Sequence, residues 1–397
     1  MSATPVARPA TDEEATVPYS LRELLTYFLA LGATGFGGPI ALTGYMQRDL
    51  VERRRWISKR DYLEGLALAQ LAPGPLAAQL ATYLGWVRAG VWGATLVSIA
   101  FVLPSFLMVL ALSAVYVRFG GAAWMQGAFY GIGAAVIAII ARSAVKLIKL
   151  SLAKDRLLWA TFIVNAATTA WTQSEVISVI LLSGVVALAV NGRANAVTRS
   201  TAALILPWPW LVTGIHGPAP EGVLMTILLY FAEAGAFVFG SGLAIVPFLH
   251  GGVVDQFHWL NDRQFLDAVA VAMITPGPVV ITVAFIGYLV AGPLGAIAAA
   301  IGVFLPSYLF VIGPAPYYRR FAGNRSIKAF VDGVTAAAVG AIFGAVLVLA
   351  RRSIVDVPTV LIFLITLAVL VKTRKAPEPL VILAAGAVGL LLKSFAH

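Results

Sequence analysis

The sequence predicts an all-α integral membrane protein. It has two inverted-topology repeats, each of about five transmembrane helices plus a re-entrant helical hairpin broken at Pro-Gly-Pro. Three observations predict it. Hydrophobic residues make up 60% of the 397 positions and charged residues 12%, about half the charge density of a soluble globular chain. Twelve apolar stretches are long enough, or nearly so, to cross a bilayer core, which takes about 20 helical residues. They fall as six, a gap and six, and the second half repeats the first in register over about 105 residues. The same composition excludes a soluble enzyme and a disordered chain, which needs the opposite balance.

Taken in order, residues 1–21 mix Pro5, Pro9 and Pro18 with Asp12, Glu13 and Glu14 and read as a flexible tail rather than a secretory signal. The first repeat, 22–193, carries apolar segments at 24–46, 62–88, 90–117, 124–145, 157–172 and 175–191. A polar, Pro-rich connecting segment, 194–222, follows. The second repeat, 223–397, carries segments at 224–249, 265–291, 293–316, 328–350, 357–371 and 378–392. An offset of 203 aligns Phe28 with Phe231, Gly32 with Gly235, Phe36-Gly37 with Phe239-Gly240, Trp56 with Trp259, and Pro73-Gly74-Pro75 with Pro276-Gly277-Pro278. After one deletion, Gly85 aligns with Gly287, Gly93 with Gly295, and Leu103-Pro104-Ser105 with Leu305-Pro306-Ser307. Prolines, glycines and a tryptophan in register mark a duplication.

The basic loops give the orientation. Arg48, Arg53, Arg54, Arg55, Lys59 and Arg60 follow the first segment, while the matching loop of the second repeat has Arg263 alone. After the third segment the bias reverses: Arg118 alone, against Arg319, Arg320, Arg325 and Lys328. Equivalent loops therefore lie on opposite sides by the positive-inside rule. Inversion needs an odd number of crossings per repeat. Glu64 and Arg88 bound 23 uncharged residues that Pro73-Gly74-Pro75 cuts into runs of 8 and 12, too short to span. With that segment re-entrant and the N-terminus outside, the 28 basic residues sort 21 inside and 7 outside. The net charge of +10 and the pI near 9.9 thus reflect topology, not nucleic acid. Without cysteine there is no disulfide or Cys-ligated metal, and no cofactor is implied.

Four constellations are candidates for function. At Pro-Gly-Pro one half-helix stops and another starts, and the new start offers unpaired N–H groups and a positive dipole end to an anion. Pro73, Gly74, Pro75, Leu76 and Ala77, with Pro276, Gly277, Pro278 and Val279, would bring such starts to the midplane from opposite sides, as discontinuous helices do in inverted-repeat transporters. The alternative is a kink that only eases packing. Gly37 and Gly38, with Gly240 and Ser241, mark an unwound stretch or a close helix contact. Gln70, Gln79 and Thr275, beside the breaks with Thr282, either donate to an oxyanion or satisfy broken-helix carbonyls. Glu233, in an apolar segment, is a functional candidate by default and the proton-coupling candidate. Its repeat partner is Ala30. Glu64 and Asp267, themselves repeat partners, read as stabilisers of helix starts. Arg142 and Lys146 face inward or snorkel. His250, Asp255 and His258 share a short loop without the pattern of a metal site. No phosphate-binding loop occurs, and no cluster of His and carboxylates shares a segment, which argues against an enzyme.

Phe36-Gly37-Gly38-Pro39, Glu52-Arg53-Arg54-Arg55-Trp56, Leu71-Ala72-Pro73-Gly74-Pro75, Tyr83-Leu84-Gly85 and Leu103-Pro104-Ser105, with Phe239-Gly240, Pro276-Gly277-Pro278, Phe285-Ile286-Gly287-Tyr288 and Phe304-Leu305-Pro306-Ser307, resemble the chromate ion transporter family in its long, two-domain form. The resemblance covers about 22–395. It implies export of chromate across the bacterial inner membrane, driven by the proton-motive force and giving chromate resistance, with sulfate as a tetrahedral competitor. The expected partners are therefore a chromate- or sulfate-like dianion, protons and the lipid bilayer, with no nucleic acid; a homodimer is an assembly this reading leaves open. A sulfate or other oxyanion transporter and a passive anion channel are the rival functions.

Overall fold

The structure, a computed structural model, describes residues 16–36, 38–119, 122–152, 155–172, 176–191, 222–237, 245–317, 324–373 and 377–394. Among the described residues there are fourteen α-helices and no strand.

The first repeat opens with α1 (Leu21–Thr34). Its start is a capping box, with Ser20 Oγ accepting from the Glu23 N–H and the Glu23 carboxylate from the Ser20 N–H. The box satisfies two of the amides that a helix start leaves open. The helix stops at Gly35. α2 (Gly38–Met46) and a π-helical turn (Gln47–Arg53) lead to α3 (Lys59–Leu71), capped by Ser58. α3 ends at Ala72, held in extended geometry as the residue before a proline prefers. α4 (Leu76–Phe119) is two helices joined at a kink, where Ala89 and Gly90 leave helical geometry and Gly90 has φ +58°. Its first part, 76–88, packs back along α3, and its second, 91–119, is the long helix of the repeat. α5 (Ala123–Ser151), α6 (Arg156–Thr172) and α7 (Ile177–Asn191) complete the repeat.

The second repeat follows the same plan. It has α8 (Val223–Phe237), α9 (Ile245–His250) with a π-helical turn (Gly251–Gln256), and α10 (Asp262–Ile274), capped by Asn261. A 3-10 turn (Val279–Ile281) leads into α11 (Thr282–Ile312), kinked at Ala291 and Gly292. α12 (Arg325–Ser353), α13 (Val357–Lys372) and α14 (Glu378–Ser394) end it. The equivalence extends to backbone that sequence identity does not mark. Arg55 and His258, 203 residues apart, are the two non-glycine residues with positive φ among those described. Four stretches, Leu76–Phe119, Trp124–Lys149, Val279–Tyr317 and Ser326–Ser353, are long and apolar enough to cross a membrane.

Equivalent helices run antiparallel. Thr95, near the start of the long helix of α4, hydrogen-bonds Tyr308, near the end of α11, at 2.6 Å. Val311 and Ala315 join the buried core of the first repeat, which holds Val97. Val109 joins that of the second, which holds Ala299. Each long helix thus leaves its own repeat for the other, head beside tail, as inversion requires.

The first segment is not one continuous helix: it breaks after Thr34 and turns back, so that its two ends lie together. The Val17 N–H donates to the Arg55 carbonyl at 2.8 Å, Tyr19 stacks on Trp56, and Arg88 donates to the Tyr19 carbonyl at 2.8 and 3.1 Å. The entry of α1, the exit of the π turn and the end of the Pro-Gly-Pro hairpin therefore lie at one end of the bundle. The physical reason is the break after Thr34: α1 has 14 residues and α2 has 9, and neither reaches the length of a span. The first repeat therefore has two broken hairpins, and two of its described helices, α4 and α5, are long and apolar enough to cross a membrane. The segment before α1 shares an end with the basic loop 48–60, not the opposite end. That places Arg22 on the basic face and sharpens the charge asymmetry.

Candidate functional site

The two Pro-Gly-Pro breaks are each seated on the long helix of the other repeat. Gly74 has φ +137° and Gly277 φ +99°, geometry that favours glycine. A Cβ on Gly74 would lie 2.5 Å from Ser307 Cβ, and one on Gly277 would lie 2.7 Å from Ser105 Oγ. Both glycines are needed twice, for the turn and for the approach. The Gly277 N–H also donates to the Gly35 carbonyl at 2.8 Å, so the tip of the first broken hairpin meets the break of the opposite repeat. Ser105 and Ser307 follow Pro104 and Pro306 inside their helices.

Local hydrogen bonding divides the candidates. Thr275 Oγ1 donates to the Val271 carbonyl, Thr282 Oγ1 to Val279, Ser105 Oγ to Val102 and Ser307 Oγ to Phe304. Their protons go to carbonyls of the preceding turn, which leaves the oxygen lone pairs. Gln79 is different: its Nε2 donates to the Pro73 carbonyl at 2.6 Å, while its buried Oε1 has no hydrogen-bond partner among the described residues. The first bond of the new half-helix runs from the Gln79 N–H to the Pro75 carbonyl, so the amides of Leu76, Ala77 and Ala78 have no acceptor within their own helix. In the second repeat the 3-10 turn closes one residue sooner, Ile281 N–H to Pro278 carbonyl, and fewer amides are left open.

Of the predicted site residues, Pro73, Gly74, Pro75, Leu76, Ala77 and Gln79 gather at one break, and Thr275, Pro276, Gly277, Pro278 and Val279 at the other. Gln70 does not join them; it lies on the exposed side of α3. Gly38 opens α2 at φ +74°, and no described residue lies within 4 Å of a Cβ built on it. Gly37, Gly240 and Ser241 lie outside the described residues. Glu233, on α8, is partly buried. Sequence reasoning passed over Ser105 and Ser307 as site residues. The aligned Leu-Pro-Ser triplets carried the signal, and it served there only to mark the repeat.

Glu64 and Asp267 are not helix-start stabilisers, since Ser58 with Asp61 and Asn261 with Gln264 hold those starts. Glu64 pairs with Arg60 at 3.1 Å. Asp267, 4% exposed, accepts from the Tyr116 hydroxyl of the other repeat at 2.7 Å. Arg142 reaches Glu378 at 4.0 Å. His250 and Asp255 join Asp262 and Arg352 in an ion-pair network, with Arg352 Nη1 at 3.2 and 2.9 Å from the two carboxylates. A cavity of about 390 Å³ lies between the long helices. Its walls are mostly apolar, and Ala78, Thr82, Ser98 and Ser307 bring the first break to its edge.

The model of the family described as "Chromate transporter" matches residues 22–188 and again 225–390. The chain belongs to the chromate transporter family. It is 58% identical over 387 residues to the "Chromate transport protein" of Cupriavidus metallidurans, covering 96% of this chain and 95% of that one. It is 56% identical to the "Probable chromate transport protein" of Synechococcus elongatus, covering 95% and 96%, and 35% identical to the "Chromate transport protein" of Pseudomonas aeruginosa, covering 97% and 96%. No solved structure matches the chain. The double match of the family model coincides with the two repeats, and the chain is a multi-pass membrane transporter. Both Pro-Gly-Pro breaks, both Leu-Pro-Ser triplets and Asp267 fall within the matched ranges.

Proposed function

We propose that this transporter carries chromate out of the bacterial cytoplasm across the inner membrane, coupled to the proton-motive force, and so confers chromate resistance. The observation that supports it most is the reciprocal seating of the breaks: each half-helix start rests on a serine of the other repeat. An oxyanion held there would bridge the repeats. Its acceptor oxygens match the open amides of 76–78, which carry no sequence of their own and suit a tetrahedral anion. Because the repeats are held together at these points, rocking one against the other would expose the breaks alternately to each side. A carboxylate of the second repeat, for which Glu233 is the candidate, would carry the proton.

Labelled chromate and sulfate flux in proteoliposomes, with and without a pH gradient, tests this reading. Gradient-stimulated chromate flux, inhibited by sulfate, is the expected result, with Glu233→Gln losing most of the stimulation. Chromate flux indifferent to the gradient would remove proton coupling, and sulfate flux without chromate flux would change the substrate.

A further inference from the structure

Asp267 is the deeply buried carboxylate of the described hairpins. It sits on α10, the entering arm of the second Pro-Gly-Pro hairpin, five residues after its start, and is 4% exposed. Its bond is not to its own repeat. It accepts at 2.7 Å from the hydroxyl of Tyr116, near the end of the long helix of the first repeat. Tyr116 is fixed by edge contacts to Phe129 and Phe285, from both repeats. The bond therefore ties the hairpin of one repeat to the helix that the other repeat inserts beside it.

Among the described residues Asp267 has no direct ionic partner. Arg263, one turn earlier on α10, donates to the Gln126 carbonyl of α5. Lys393 of α14 lies over Gly127. His250, Asp255, Asp262 and Arg352 pair among themselves. A carboxylate placed like this in a membrane transporter is costly and needs a use. Its bond to the phenol depends on its state. The ionised form accepts a charge-assisted hydrogen bond, about twice as strong as one between neutral groups.

We propose that Asp267 and Tyr116 form a proton-operated lock between the repeats. When Asp267 is ionised, the bond to Tyr116 holds the second hairpin against the first repeat's long helix. A proton from the water at this end binds the carboxylate, the charge is cancelled, and the weakened bond releases the hairpin. Loss of the proton restores the lock. The lock rests on the reading of proton-coupled transport given above and adds to it a second carboxylate, at the contact between the repeats.

The test compares two measurements on the full-length transporter in proteoliposomes: chromate counterflow, which needs no net proton movement, and chromate flux driven by a pH gradient. Asp267→Asn keeps an acceptor for Tyr116 but holds it neutral. The expected result is counterflow within about threefold of the unaltered protein, with the stimulation by the gradient gone. Tyr116→Phe removes the phenol and is expected to cut the stimulation at least threefold with counterflow kept. Stimulation intact in either variant overturns the lock. So does loss of counterflow in folded Asp267→Asn, which would place the residue in the anion path or the scaffold. Failure of the underlying reading shows separately, as unaltered protein whose chromate flux ignores the gradient.

Discussion

At the scale of single residues, two glycines make the sharpest claim. Gly74 and Gly277 combine positive φ with a close approach to a serine of the other repeat. Alanine at either position meets backbone strain of roughly 1–3 kcal/mol and overpacking of about the same size. Gly90 also has positive φ, but nothing lies within 4 Å of its missing Cβ, so Gly90→Ala meets the strain alone. The expected order in thermal unfolding of the purified protein is that Gly74→Ala and Gly277→Ala are each clearly less stable than Gly90→Ala, with transport lost in the first two. Equal loss for all three would mean that the contacts with Ser105 and Ser307 contribute nothing. The two prolines beside each glycine were legible in the sequence as a break. The serines were not, because proximity between residues 233 and 172 positions apart in the chain follows from how the repeats interlock, which no local pattern records.

At the scale of elements, the hairpin bases differ in chemistry. In the first repeat the base is held by Arg88 on the Tyr19 carbonyl and by Arg54 over the rings of Tyr27 and Trp56. In the second it is held by ionic pairs. His250, at the end of α9, and Asp255 meet Asp262, at the start of α10, and Arg352, at the end of α12. Burial tends to raise Asp262, but the hydrogen bonds from His250 and Arg352 outweigh it and hold its carboxyl below the usual range. A carboxylate depressed in the folded protein contributes stability above its unfolded value, near 4, and loses that contribution as the pH falls through the folded one. Acid should therefore loosen the base of the second repeat. Hydrogen exchange of 250–262 is expected to quicken below about pH 4 and to be fast already at neutral pH in Arg352→Ala. Unchanged protection in that variant would show that aromatic packing, such as Phe257 on Trp259, holds the base by itself. His250 and Asp255 were visible in the sequence as neighbours. Their partner Arg352 lies about 100 residues away and was legible only as a basic residue beyond a span.

At the scale of the whole molecule, the duplication was legible because glycine and proline are constrained by backbone geometry, and identical constraints recur at an offset of 203 or 202. Charge gave the inversion, and the antiparallel contact of Thr95 with Tyr308 agrees with it. The number of spans was not legible. Residues 24–46 are apolar throughout, and hydropathy does not register a break at Gly35 that folds the segment back on itself. The absence of cysteine makes the consequence testable with single introduced thiols. Val17 and Lys59 are exposed near the paired ends of the first hairpin, while Val355 is exposed beside α13 at the other end of the bundle. With a membrane-impermeant maleimide on oriented vesicles, Val17→Cys and Lys59→Cys should label from the same side, and Val355→Cys from the opposite one. By the positive-inside rule the first pair should face the cytoplasm. A single crossing by the first segment would instead put Val17→Cys and Lys59→Cys on opposite sides. That result would break the hairpin that carries Gly35 to Gly277 and, with it, the interlocked site.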